Sequence, residues 1–117
     1  MIATTIYGIA NCDKVRSARV WLEERGVPFR FHDFRRDGLT SALLDRWCEQ
    51  VEWSALLNRQ GTTWRKLDAA LAARAQDRAS ATALMLDHPT LIRRPVLRHG
   101  TSLVVGFDAE RYSNLFA

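Results

Sequence analysis

The hydrophobic pattern changes period twice along the chain, and those changes divide it into three parts. Thr4 to Tyr7 are β-branched or aromatic, which favours an extended strand, and Gly8 ends the run. From Val15 the apolar residues recur at helical spacing. Val15, Ala18 and Leu22 share one face, and Arg16, Arg19 and Glu23 share the other. The spacing predicts a helix from about Asp13 to Glu24, with Gly26 as its C′ residue and Pro28 preventing continuation. Asn11 reads as its N-cap, which places Cys12 in the first turn. Phe29 to Phe34 then alternates as a second strand. The short β-α-β connection predicts that the two strands are parallel.

After a turn at Arg35-Arg36-Asp37-Gly38, the helical period holds for some fifty residues. Leu43, Leu44, Trp47, Cys48 and Val51 form one face of a helix that Thr40 or Ser41 can cap. Trp53, Leu56 and Leu57 predict a short helix, which Asn58 to Thr63 breaks. Trp64, Leu67 and Leu71 open another. Ser80 starts a further helix carrying Ala81, Leu84 and Met85, closed by His88-Pro89. The last third returns to strands, with Pro95–Arg98 and Ser102–Val105 flanking a Gly-containing hairpin loop at His99-Gly100-Thr101. Gly106-Phe107-Asp108 leads into a final helix packed through Phe107, Tyr112, Leu115 and Phe116. The order β-α-β, several helices, β-β-α predicts an α/β, thioredoxin-like fold. One domain spans 1–117, with a helical insertion at about 39–90.

A chain of 117 residues, 47% hydrophobic and 26% charged, has the composition of a soluble globular domain. No apolar run approaches the roughly 18 residues of a membrane span, and the first residues show no signal-peptide pattern. Two cysteines without a signal sequence point to a reducing compartment, so the expected location is cytoplasmic. The net charge of +4 comes almost wholly from fifteen arginines, against two lysines. These are scattered and accompany no nucleic-acid motif, so direct nucleic-acid binding is not expected. Arginine does supply a planar fork suited to oxyanions and carboxylates.

The chemistry that this pattern offers centres on Cys12. A helix start favours an anion and lowers a thiol's pKa. Arg16 adds a positive charge one turn on, and Asp13 beside the thiol opposes it. Taken alone, such a cysteine reads as either inert or reactive. Cys48, on an apolar stripe, reads as a small core residue, with a redox partner as the other reading. Cys12, Cys48, His32, His88 and His99 show no metal-ligand spacing, so no metal is expected. There is no CxxC, and a disulfide on Cys12 therefore needs an outside thiol to resolve it. Arg93-Arg94-Pro95 precedes a strand. It reads either as a strand-start proline with two solvated arginines or as a cis proline opposite the cysteine, with Arg94 in reach.

Tyr-Gly-Ile-x-Asn-Cys-Asp at 7–13, the Leu-Leu-Asn…Gly-Thr-Thr-Trp-Arg-Lys-Leu stretch at 56–67, Arg-Arg-Pro at 93–95 and Gly-Phe at 106–107 resemble the arsenate reductase (ArsC) family. Within it they resemble the YffB-like branch, close to the Spx regulators. The resemblance covers nearly the whole chain, in the right order. It implies a thioredoxin-like fold and one nucleophilic cysteine, Cys12. It also implies a substrate- or glutathione-binding set of Asn11, Arg16, Arg59, Arg94 and Pro95. Arg59 stands one residue out of the family's register.

The sequence departs from the family at two positions. Gly8 replaces a histidine shortly before the cysteine, and Val104-Val105-Gly106-Phe107 contains no match to a third arginine. The resemblance therefore implies a glutathione-dependent thiol reductase, ahead of arsenate reduction. Its co-substrate is glutathione, with glutaredoxin as a partner, a small oxyanion or thiol as substrate, and no bound cofactor. The alternative is a noncatalytic, Spx-like module that binds RNA polymerase.

Overall fold

The computed structural model describes residues 2–117, which fall into two compact units, 2–38 with 94–117 and 39–93.

The first unit is built on one four-stranded sheet. Strand β1 (Thr4–Gly8) feeds helix α1 (Asp13–Glu24), and strand β2 (Arg30–Asp33) follows. After the second unit come β3 (Val96–His99) and β4 (Ser102–Val105). The sheet order is β2-β1-β3-β4. As the short crossover requires, β1 runs parallel to β2, pairing Thr5 with Arg30 and Tyr7 with His32. It is antiparallel to β3, which turns back into β4 through Gly100 at φ +60°. This is the thioredoxin-like frame that the element order predicts. α1 has the predicted bounds, and Gly26 follows its cap at φ +67°, a conformation that a glycine adopts without steric cost.

The core of this unit lies between one face of the sheet and two helices. Ile6, Leu97 and Val104 meet Ala18, Trp21 and Leu22 of α1. Tyr112 comes from helix α8 (Ala109–Leu115), whose N-cap Asp108 accepts from the N–H groups of Glu110 and Arg111. Trp21 and Tyr112 pack edge to face at 5.5 Å. Phe107, Leu115 and Phe116 close the cluster, as their spacing predicts.

The turn expected at 35–38 is a short helix, α2 (Phe34–Asp37), and β2 is correspondingly shorter than the alternation suggests. Asp33 caps α2 by accepting from Arg35 N–H. The side chains of α2 satisfy backbone groups of β2: Arg36 donates to the Phe31 carbonyl at 3.0 Å, and Asp33 N–H donates to Asp37 at 3.0 Å. Local side-chain bonds of this kind turn the chain, and Gly38 at φ +86° ends the helix.

The second unit is helical: α3 (Ser41–Cys48), α4 (Trp53–Leu56), α5 (Thr62–Lys66), α6 (Ala69–Ala72), α7 (Arg78–Asp87) and a 3₁₀ turn at Pro89–Leu91. Thr40 caps α3 through Leu43 N–H. The helix expected across Trp64, Leu67 and Leu71 is two helices, because Asp68 caps a new start through Ala70 N–H. α7 begins before Ser80, which serves instead as the third helical residue of a capping box with Asp77. Leu44, Trp47, Leu56, Ala81, Leu84, Met85 and Leu91 are buried in this unit.

Candidate active site

Cys12 is held by the backbone on both sides. Its N–H donates to the Ile9 carbonyl at 3.1 Å, and its own carbonyl accepts the first bond of α1, from Arg16 N–H at 3.0 Å. Cys12 itself is therefore the N-cap of α1, with φ −93° and ψ 127°. The expectation that Asn11 caps the helix is corrected by one residue, and Asn11 is exposed in the turn. The reason is that the Ile9–Cys12 bond closes the turn one residue later. The shift aims the thiol, rather than the amide, at the helix N-terminus.

The electrostatics follow from that placement. Burial pushes the Cys12 thiol up. The N–H of Val15, the guanidinium of Arg94 as both hydrogen-bond donor and charge, and the N–H of Lys14 outweigh it, leaving the thiol below its ordinary value. No close capping bond to the sulfur forms. Sulfur is a large, weak acceptor, so those N–H groups act on the thiolate by their dipoles more than by a short contact. The charges expected to compete at the thiol are Arg16 and Asp13. They pair with each other on the exposed face of α1, three residues apart. Arg16 is thus committed to a surface ion pair.

Arg94 reaches the site because of where β3 begins. The Arg94–Pro95 peptide is cis, and Pro95 is buried, its carbonyl accepting from Gly106 N–H at 2.8 Å. The neighbouring Arg93 behaves differently. Its N–H donates to the Leu56 carbonyl at 2.7 Å and its Nε to the Ala55 carbonyl, which makes it a strut of the helical unit. Arg94 Nε and Nη1 are buried without a hydrogen-bond partner among the described residues. Buried donors of this kind carry a desolvation cost that an anionic acceptor removes.

Gly8 has a steric reason. A Cβ there would lie 2.6 Å from Cγ2 of Val15, which is fully buried at the third position of α1. Close approach of β1 to the start of α1 thus leaves no room for a side chain at position 8 without displacing Val15, and least for one as large as histidine.

The remaining candidates lie in the helical unit. Arg59 is exposed, its guanidinium 5.7 Å from the Trp53 ring and 5.6 Å from the Trp64 ring. The signal for this arrangement was the pair of tryptophans flanking the Asn-Arg-Gln-Gly break, which periodicity assigns only to packing. Cys48, expected on a buried stripe, is half-buried at the last turn of α3. Burial pushes its thiol up, more than Arg78 lowers it, and Asp45 adds to the rise. The two cysteines are therefore shifted in opposite directions. Among the described residues no group of His, Cys, Asp and Glu could hold a metal, and no helix is long and apolar enough to cross a membrane.

The sequence pattern of the ArsC family matches residues 7–115. A solved structure of a protein named YffB is 43% identical, with a TM-score of 0.93 over 98% of this chain and all of that one. An arsenate reductase (ArsC) related protein from Brucella melitensis is 46% identical, with a TM-score of 0.76 over 97% of this chain and 94% of that one. The global transcriptional regulator Spx of Staphylococcus saprophyticus is a distant relative. It is 25% identical over 109 residues, which are 91% of this chain and 81% of the regulator. With the family pattern covering nearly the whole chain, the chain is a member of the ArsC family.

Proposed function

We propose that the protein is a cytoplasmic, glutathione-dependent thiol oxidoreductase with Cys12 as its only nucleophile. The carrying observation is that the Arg94 guanidinium lowers the Cys12 thiol while its Nε and Nη1 stay buried without a hydrogen-bond partner among the described residues. The thiolate attacks the glutathione sulfur of a mixed disulfide. That S–S bond breaks, the substrate leaves as a thiolate and takes a proton from solvent, and a Cys12–glutathione disulfide forms. A second glutathione thiolate attacks this disulfide, releasing oxidised glutathione and the free Cys12 thiolate. Two glutathione sulfurs are thus joined and one substrate disulfide is reduced, without a resident cofactor. A glutaredoxin can stand in for the second glutathione.

Arg94 is the residue that receives a glutathione carboxylate, and Pro95 presents backbone beside the sulfur. Arsenate is the poorer substrate. Position 8 has no room for a histidine, and no arginine lies between Val104 and Phe107. One small oxyanion desires several fixed cations, each charge-assisted bond contributing about 1.5–3 kcal/mol.

The test is turnover of glutathionylated 2-mercaptoethanol against turnover of arsenate, each with glutathione and glutathione reductase. Faster reduction of the mixed disulfide, lost in Cys12→Ser, is the expected result. Faster arsenite formation overturns the substrate assignment. The similarity to Spx favours a second reading, a noncatalytic module that binds RNA polymerase. No turnover in either arm, with polymerase captured equally by wild type and Cys12→Ser, would establish it.

A further inference from the structure

Helix α1 carries a feature that the chemistry at Cys12 does not use. Asp13, Arg16, Val20 and Glu24 stand at i, i+3, i+7 and i+11, which is one stripe along a helix. With Trp21 and Phe107 they line an open groove of about 600 Å³. At about 1.5 Å rise per residue it runs roughly 16 Å, starting beside the nucleophile. Val20 is 49% exposed at its centre, one of two large hydrophobic residues left in solvent among the described residues. Trp21, only 7% exposed, forms the wall, and its Nε1 has no acceptor among the described residues.

The charges along the groove are unequal. At the near end Arg16 and Asp13 cancel each other. At the far end Glu24 has no ion pair among the described residues. An anionic tripeptide would meet like charge there, whereas Arg94 offers it a cation. A polypeptide with an apolar residue and then a basic one matches the order of apolar floor and free carboxylate.

We infer that this groove seats the polypeptide half of a glutathione mixed disulfide, an apolar side chain covering Val20 and Phe107 and a lysine or arginine meeting Glu24. The inference rests on the thiol-reductase reading above. An extended chain covers the length of the groove in about five residues, at about 3.3 Å each. The basic residue therefore stands about five positions from the substrate cysteine. In the first step the glutathione sulfur joins Cys12, and the peptide thiolate leaves along α1.

The experiment uses the palindromic peptide Lys-Gly-Gly-Leu-Gly-Cys-Gly-Leu-Gly-Gly-Lys, glutathionylated at its cysteine, so that chain direction is immaterial. Its kcat/KM is divided by that of glutathionylated 2-mercaptoethanol. Glu24→Lys and Val20→Asp should each lower the ratio about tenfold, and replacing both peptide lysines by glutamate should restore it for Glu24→Lys. An unchanged ratio, with both substrates turned over, overturns the groove and leaves the reductase reading standing. Absence of turnover by the wild type overturns the reductase reading instead. The same peptide with serine for cysteine, titrated onto each protein and followed by tryptophan fluorescence, then decides the groove. Weaker binding to Glu24→Lys upholds it, and equal binding removes it.

Discussion

The Arg94 guanidinium holds the Cys12 thiol below its ordinary value although β1 and β3, which deliver the two residues, are far apart in the chain. Replacing it isolates its share of the thiol's activation. In Arg94→Ala, burial is opposed only by the N–H groups of Val15 and Lys14. The midpoint of alkylation rate against pH should then rise, and the rate at neutral pH should fall. The wild-type midpoint should lie below that of an ordinary free thiol. A lowered thiol is more ionised at any given pH, so the effect of the substitution should be largest near neutrality and vanish in strong alkali. An unmoved midpoint would remove Arg94 from the site.

Gly8→Ala should cost about 1–3 kcal/mol in a denaturant titration, because its Cβ would strike Val15 at 2.6 Å in a closely packed region. The double variant Gly8→Ala/Val15→Ala should recover part of that loss, leaving a coupling energy on the order of 1 kcal/mol. Additive losses would mean that the strand and helix do not approach so closely.

Cys12→Ser should abolish thiol-dependent turnover while leaving stability nearly unchanged. Cys48→Ala should retain turnover and cost about 1 kcal/mol, in keeping with a half-buried small residue. Equal loss of turnover in two folded variants would assign Cys48 a resolving role.

Arg59→Ala should raise the KM for glutathione several-fold without moving the Cys12 alkylation midpoint, if the stacked guanidinium receives a carboxylate. Trp53→Ala or Trp64→Ala should give a smaller effect of the same kind, since each ring holds the guanidinium at 5.7 and 5.6 Å respectively. Steady-state kinetics in glutathione distinguishes this from loss of folding. An unchanged KM leaves Arg59 as a surface residue.

Asp37 offers a pH test of the β2 edge. Arg36 and the N–H of Asp33 hold its carboxyl at about 2. A folded value below the unfolded value of about 3.9 contributes stability above that pH, and the contribution is lost as pH falls through about 2. An Asp37 side-chain NMR titration should show a midpoint near the lower value, and the Asp33 amide should lose protection with it. A midpoint near 4 would mean that the edge contact is absent in solution.

Local pattern was enough for the elements whose cause is local. The β-branched run before Gly8, the 3.6-residue period from Val15 and the Gly26–Pro28 stop determine β1 and α1, and α1 has the predicted bounds. The parallel pairing of β1 and β2 follows from the length of the crossover. The motif around Cys12 and the Arg-Arg-Pro sequence also sufficed to place the chain in its family.

Tertiary structure alone decided which groups act together. Arg93 and Arg94 are indistinguishable in composition, yet one braces the helical unit through Leu56 and Ala55 and the other lowers the Cys12 thiol. Arg16 and Asp13 look like competing influences on the thiol, and they neutralise each other because a helix sets residues three apart side by side. Asn11 has the stronger capping preference, but the Ile9–Cys12 bond hands the cap to cysteine. Preference and spacing are properties of a segment. Partner choice depends on which backbone arrives at the same place, and that is settled only when the sheet is assembled.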